Sequence, residues 1–180
     1  MTRLLIIGTG GHGRSVAEAA LLCQDYVLTA FLDDAAEPGL RLWDWPVLGP
    51  TSLLNACRGQ VDAVIVAIGN NVLREALHEQ IEALDGLALA TVIHPLAIVS
   101  PRASVGRGST IMAGAIVGTG ARLGEGVIVN CGAAVDHDCV VEPFGHLGVN
   151  AAMAGGSVLG RRAQMSAGAS LAQGMARRSG

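Results

Sequence analysis

From Val99 onward, every sixth residue is aliphatic or Met: Val99, Val105, Ile111, Val117, Leu123, Val129, Val135, Val141, Leu147, Met153, Leu159, Met165 and Leu171. Two positions before each of these lies a small residue, from Ala97 and Ala103 through Cys139 to Ala169, with Val127 as the one larger member. A period of six is neither the two of an ordinary strand nor the 3.6 of a helix, so this half of the chain is a repeat. The physical solution is a triangular coil in which each hexad is one short strand and one turn. The large side chain points inward and the small one fits where the backbone rounds the corner. Stacking such coils in parallel lets each satisfy its neighbours' backbone hydrogen bonds. The series predicts slightly more than four coils.

The residues before it follow a different grammar. Leu4–Ile7, Val27–Leu32, Val61–Ile68 and Leu87–Ile93 are near-continuous apolar runs, whereas 13–23, 51–57 and 71–84 carry the spacing of helices. Trp43-Asp44-Trp45-Pro46 interrupts them as an expected loop. Strands separated by helices predict a parallel sheet covered on both faces. The expected fold class is therefore α/β: a small Rossmann-like parallel sheet over residues 1–92, followed by a parallel β-helix over 93–180.

Composition agrees and removes several alternatives. The chain is 51% hydrophobic but only 3% aromatic, which excludes disorder. A formal net charge of −3 offers no overall basic field for nucleic acid or an anionic membrane, and no apolar run is long enough to span a bilayer. Met1-Thr2-Arg3 leads straight into the first strand without a cleavage site, and four cysteines without a C-x-x-C pair fit reduced thiols. A cytoplasmic location is expected, with no metal.

Gly8-Thr9-Gly10-Gly11-His12-Gly13 follows a predicted strand and opens a predicted helix, and Asp33 lies twenty residues after Gly13. Alone this spells a dinucleotide fingerprint, with backbone N–H groups at a helix N-terminus facing an anion. A tight turn alone would explain Gly8 and Gly13 but not His12. Gly69-Asn70-Asn71 ends another strand, at the edge where open α/β sheets bind ligands, although a helix cap accounts equally well for an Asn there. Arg74, one turn on, either pairs a phosphate or faces solvent. Asp136-His137-Asp138 falls on a turn of the coil, which presents His137 outward between two carboxylates. Such an imidazole can act as a base near neutral pH. Glu125, Glu142 and Arg161-Arg162 are expected to be solvated turn residues, and His78 and His94 structural.

Glycine directly after the aliphatic residue, at Val105-Gly106, Val117-Gly118, Leu123-Gly124, Leu147-Gly148 and Leu159-Gly160, is the hexapeptide signature of the left-handed parallel β-helix. Together with the front loop, Ala67-Ile68-Gly69-Asn70-Asn71, His94-Pro95 and the stretch from Asn130 to Gly155, the chain resembles the sugar O-/N-acyltransferases of the sialic-acid O-acetyltransferase type. Their members include N-acetyltransferases of nucleotide-linked 4-amino sugars. The resemblance implies acetyl-CoA as co-substrate, a homotrimer, and a CoA site in the cleft between neighbouring prisms. It assigns His137 as general base and Asp138 as its orienting carboxylate, with Asp136 second for that role. Gly10, Gly11, His12, Asp33, Asp34, Gly69, Asn70, Asn71 and Asn130 become substrate-binding residues. His146, Gly155 and Ala167 become contacts to acetyl-CoA, with the Gly155 N–H a donor to the oxyanion.

The expected activity is acetyl transfer to the amine of a nucleotide-linked 4-amino-deoxysugar. O-acetylation of a sugar, or a catalytically impaired nucleotide-sugar-binding homologue, are the alternatives. A nicotinamide oxidoreductase is disfavoured because the second half carries no dehydrogenase pattern. Members of the resembled family continue with a further coil and a Gly-rich tail over the CoA, whereas the aliphatic register here stops at Leu171, so the resemblance leads to the expectation that part of the CoA site is missing.

Overall fold

A computed structural model describes residues 1–37 and 39–178. The N-terminal part forms a four-stranded parallel sheet from β1 (Thr2–Ile7), β2 (Tyr26–Leu32), β5 (Ala63–Val66) and β6 (Ala88–Leu89), ordered β2-β1-β5-β6. The chain leaves β1 on one side through β2 and returns on the other through β5. That reversal makes the carboxyl end of β1 and β5 the switch point of the sheet. Helix α1 (Gly11–Leu22) covers one face, where Val16, Ala17, Ala19 and Ala20 pack on Leu4, Ile6 and Phe31. Helix α2 (Asn71–Glu82) and a 3-10 turn (Thr51–Cys57) cover the other, with Leu77, Ile81 and Leu54 on Leu5, Ile7 and Val64. The Trp43 segment expected as a loop closes a small antiparallel hairpin, β3 (Arg41–Leu42) with β4 (Trp45–Pro46).

The apolar run from Leu87 to Ile93, expected as one strand, serves two structures. Ala88–Leu89 ends the N-terminal sheet, and Val92–Ile93 already opens the prism. From there the chain makes two-residue strands that stack into three parallel sheets of five strands each, one per prism side. This is five layers, more than the hexad count gave. The addition comes from Val92–Ile93 at the start and from Ala176–Arg177 at the end, which pairs with Val158–Leu159 although Arg177 breaks the aliphatic column. The inward column and the small column together form one buried core, including Ile111, Val129, Leu147, Ala121 and Cys139. The Cys139 thiol donates to the Ala154 carbonyl at 3.2 Å and is packed within that core.

The corners carry a second six-residue column that the sequence did not reveal. Residues 108, 114, 120 and so on to 174, each three after an inward residue, all have positive φ between 56° and 71°. Eight are glycines, and Asp138, Phe144, Asn150 and Arg162 take the same left-handed conformation. The glycines that follow the inward residue have a different cause. A Cβ on Gly106 would lie 2.4 Å from the Gly124 carbonyl carbon of the next coil, so backbone crowding at the corner fixes that signature.

Side one of the prism, formed by the strands at Val92, Thr110, Ile128, His146 and Gln164, turns its outward residues toward the N-terminal sheet. Val92, Thr110 and Ile128 are accordingly buried. No helix among the described residues is long and apolar enough to cross a membrane.

Candidate active site

At the switch point the ends of β1, β2 and β5 open a cleft of about 420 Å3 lined by Gly8, Gly10, Gly11, His12, Asp33, Asp34, Thr51, Ile68, Gly69 and Leu73 among others. Six of the residues assigned to substrate from the sequence meet here. Gly8 and Gly13 have steric causes. Gly8 sits at φ 111°, and a Cβ on Gly13 would lie 2.1 Å from the Gly8 carbonyl oxygen, where α1 presses on the strand end. Gly10 and Gly11 border open space instead, with nothing within 4 Å of an added Cβ. Their backbone, at the start of α1, is free to approach a phosphate.

The two carboxylates shape this cleft. Asp33 accepts from the Thr9 backbone N–H at 2.7 Å, from its hydroxyl at 2.6 Å, and from Ala35 N–H at 2.9 Å. Burial raises its pKa, but these donors outweigh burial and hold it below the ordinary value. Asp34 accepts from the Thr51 N–H at 2.7 Å and from its hydroxyl at 2.9 Å, so Thr51, which no sequence motif singled out, enters the cleft wall through Asp34. Asn70 and Asn71 do not line the cleft. Asn70 Oδ1 caps α2 by accepting from Leu73 N–H at 3.0 Å, and Asn71 Nδ2 donates to the Arg162 carbonyl at 2.7 Å.

Arg74 neither pairs with a phosphate nor faces solvent. It is 0% exposed, and Nε donates to the Gly126 carbonyl at 2.7 Å while the terminal nitrogens donate to Ile68, Phe144 and Asn71 oxygens at 2.8–2.9 Å. Arg161 and Arg162 are likewise not merely solvated, because both pair with the buried Glu75 carboxylate. Glu142 stays exposed and accepts from the Arg161 N–H.

His12 reaches from the cleft to side one of the prism, its Nε2 3.4 Å from Thr110 Oγ1. His146 stands on that same side in a strand, rather than at a corner, and is 9% exposed under the Gly69 loop. Neither of its ring nitrogens has hydrogen-bond geometry to any protein group. Burial, reinforced for His12 by His146 and Arg74 and for His146 by Arg74, lowers both imidazoles to about 4, so they are neutral at physiological pH.

His137 is in a contrasting environment. It stands half-exposed on the edge between the second and third prism sides, opposite side one. Its Nδ1 is 2.9 Å from Asp138 Oδ2, and Asp136 Oδ2 lies 3.9 Å from Nε2. The hydrogen bond to Asp138, then the charge of Asp136, raises the pKa of His137 above its ordinary value. A Cβ on Gly155, one coil along, would fall 2.4 Å from Nε2, so the missing side chain is what leaves that nitrogen its place. Asn130 and Ala167 sit on the edge between sides one and two, where Asn130 Oδ1 accepts from Cys131 N–H at 2.9 Å. One chain therefore does not gather the sequence-assigned residues in one place. The cleft and His146 lie on side one, Asn130 and Ala167 on a flanking edge, and His137, Asp138 and Gly155 on the far edge. No cluster of metal-ligating side chains occurs among the described residues.

Comparison with known proteins places this architecture. Residues 3–81 match the PglD N-terminal domain family. The UDP-N-acetylbacillosamine N-acetyltransferase of Bacillus subtilis (strain 168) is 36% identical over 115 residues, 63% of this chain and 52% of that protein, so the match spans about half of the relative's length. The acetyltransferase domain of PglB from Neisseria gonorrhoeae FA1090, solved in complex with acetyl coenzyme A, shares 38% identity over 99% of this chain and 85% of that one, with a TM-score of 0.90. A histidine-to-asparagine variant of perosamine N-acetyltransferase from Caulobacter crescentus, in complex with CoA and GDP-perosamine, shares 36% identity over 99% and 84%, with a TM-score of 0.92. With its PglD-type front sheet and its left-handed β-helix, the chain belongs to the family of nucleotide-aminosugar N-acetyltransferases.

Proposed function

We propose that this chain transfers an acetyl group from acetyl-CoA to the amine of a nucleotide-linked 4-amino-deoxysugar. The observation that carries the reading is His137: an exposed imidazole with a carboxylate on Nδ1 and its Nε2 left clear by Gly155. With Asp138 holding the Nδ1 proton, Nε2 accepts the proton that the sugar amine loses as its nitrogen bonds to the acyl carbon. The same nitrogen then returns that proton to the departing thiolate, so the histidine ends as it began. The cleft beside Gly10, Gly11 and His12 takes the nucleotide, with Asp33, Asp34 and Gly69 as its walls. The PglB domain solved with acetyl-CoA and the perosamine N-acetyltransferase solved with CoA and GDP-perosamine support an amine acceptor over a sugar hydroxyl.

The prism itself separates the cleft on side one from His137 on the opposite edge, so one chain cannot close the site. We infer that the His137 edge of one copy faces side one of the next. A contact between two different surfaces closes into a ring when the rotation permits, and a homotrimer fits a three-sided prism. Acetyl-CoA then lies between copies, with His146, Gly155 and Ala167 as the residues of this chain that would hold it.

The test is thiol release from acetyl-CoA against UDP-, dTDP- and GDP-linked 4-amino sugars, with free sialic acid as the hydroxyl acceptor. Release with an amino sugar is the expected result. Release with sialic acid alone would transfer the reading to O-acetylation. His137→Ala should lower kcat by about 100-fold or more while the nucleotide-sugar Kd changes by less than about threefold.

A further inference from the structure

Asn71, Arg74 and His78 recur at one-turn intervals along α2, and each meets the same prism corner in a different coil. Asn71 Nδ2 donates to the Arg162 carbonyl at 2.7 Å, Arg74 to those of Phe144 at 2.9 Å and Gly126 at 2.7 Å, and the His78 ring fills the space a side chain at Gly108 would need. Residues 108, 126, 144 and 162 are eighteen apart and all are left-handed corner residues. A helix advances about 5.4 Å per turn, and stacked strands about 4.8 Å, so the two turns from Asn71 to His78 meet three coil spacings only because Arg74 reaches two coils at once.

Arg74 is the centre of this arrangement. All five of its N–H groups have acceptors, the weakest being the Gly69 carbonyl at 3.4 Å, and none of these acceptors is a carboxylate. Burying a guanidinium without a counter-charge is costly, and the neighbouring Glu75 is already committed to Arg161 and Arg162. Two of the acceptors, Ile68 and Gly69, form the wall of the nucleotide cleft, and two, Gly126 and Phe144, belong to successive coils.

We propose that Arg74 is a positioning residue for acyl transfer: it ties the Ile68–Gly69 wall of the cleft to two coils of the prism and so sets the height along the prism axis at which the nucleotide-linked sugar is presented. This rests on the acetyltransferase reading above. A structural role alone would place the burden on folding, whereas a positioning role places it on kcat, because a sugar held at the wrong height still binds through its nucleotide.

Arg74→Lys keeps the charge but can fill at most three of the five bonds. It should lower kcat at least tenfold while the Kd of UDP or GDP, whichever the wild type binds, changes less than threefold by calorimetry. Wild-type kcat in that variant would overturn the proposal. Should Arg74→Lys fail to fold, Asn71→Ala removes the Arg162 contact and one of the five Arg74 acceptors, and should show the same split to a smaller extent. A second readout needs no turnover. In the wild type, nucleotide binding should slow amide hydrogen exchange at Gly126 and Phe144, which belong to the prism and do not line the cleft. Protection confined to the N-terminal sheet would overturn the proposal. Protection at the corner without turnover on any acceptor would support the clamp and count against the acetyltransferase reading.

Discussion

His137 and His146 show how the same side chain is directed to opposite tasks by its surroundings. The hydrogen bond to Asp138 and the charge of Asp136 raise His137, whereas burial and the Arg74 charge lower His146. The rate of acyl transfer should therefore rise with pH through a midpoint above 6.5, the pH at which His137 loses its proton. In Asp138→Asn that midpoint should move down and kcat should fall about tenfold or more, as a pH–rate profile would show. Gly155→Ala should have a similar cost in kcat, because its methyl would displace the His137 ring. The buried histidines act on stability instead. His12, His78 and His146 stay neutral in the folded chain until about pH 4, whereas the unfolded chain protonates them near 6.5. Between those values the unfolded state binds more protons, so stability rises with pH and is lost on acidification. Denaturant titrations at pH 7 and 5 should reveal an uptake on unfolding approaching about three protons per chain from these groups.

At the scale of elements, the corner column is where sequence and structure part company. The inward and small columns were legible because burial admits few residue types, and thirteen hexads repeat the same restriction. The left-handed column was not, because Asp138, Phe144, Asn150 and Arg162 interrupt its glycines. Asp and Asn visit this conformation at modest cost, whereas Phe and Arg are strained in it. Both strained positions offer their carbonyls to α2, as the glycine at 126 also does. Gly168 has open space around it and φ 69°, so Gly168→Ala isolates the backbone cost. It should lower stability by about 1 kcal/mol, and Gly168→Asn by less, measurable by thermal melting. The α2 motif was misread for a related reason. Asn71 and Arg74 lie at a strand's carboxyl end, where ligands bind, and local spacing cannot show that a corner some fifty to ninety residues onward supplies their partners, whereas Asn70 makes the local helix cap that the sequence allowed. The cleft glycines and acids, by contrast, come from segments whose strand-end positions the sequence already fixed.

For the whole molecule, the proposed division of the site between copies would make assembly a condition of activity. The second prism side, which adjoins the His137 edge, exposes Ile98 at 66% and Ile116 at 44%. Ile116→Glu should shift the oligomer toward monomer in sedimentation and lower specific activity in a manner that higher protein concentration partly restores. The match between α2 and the prism corner also limits how such a protein can change. Two turns of about 5.4 Å against three coil spacings of about 4.8 Å leave a mismatch of about 3.6 Å, which Arg74 spans by reaching two coils before Glu82 finishes the contact by pairing with Arg107. Sliding the front sheet along the prism is thus not a continuous adjustment. The carbonyls of the corner recur only once per coil, so the height of the front sheet against the prism can change only in steps of one eighteen-residue coil.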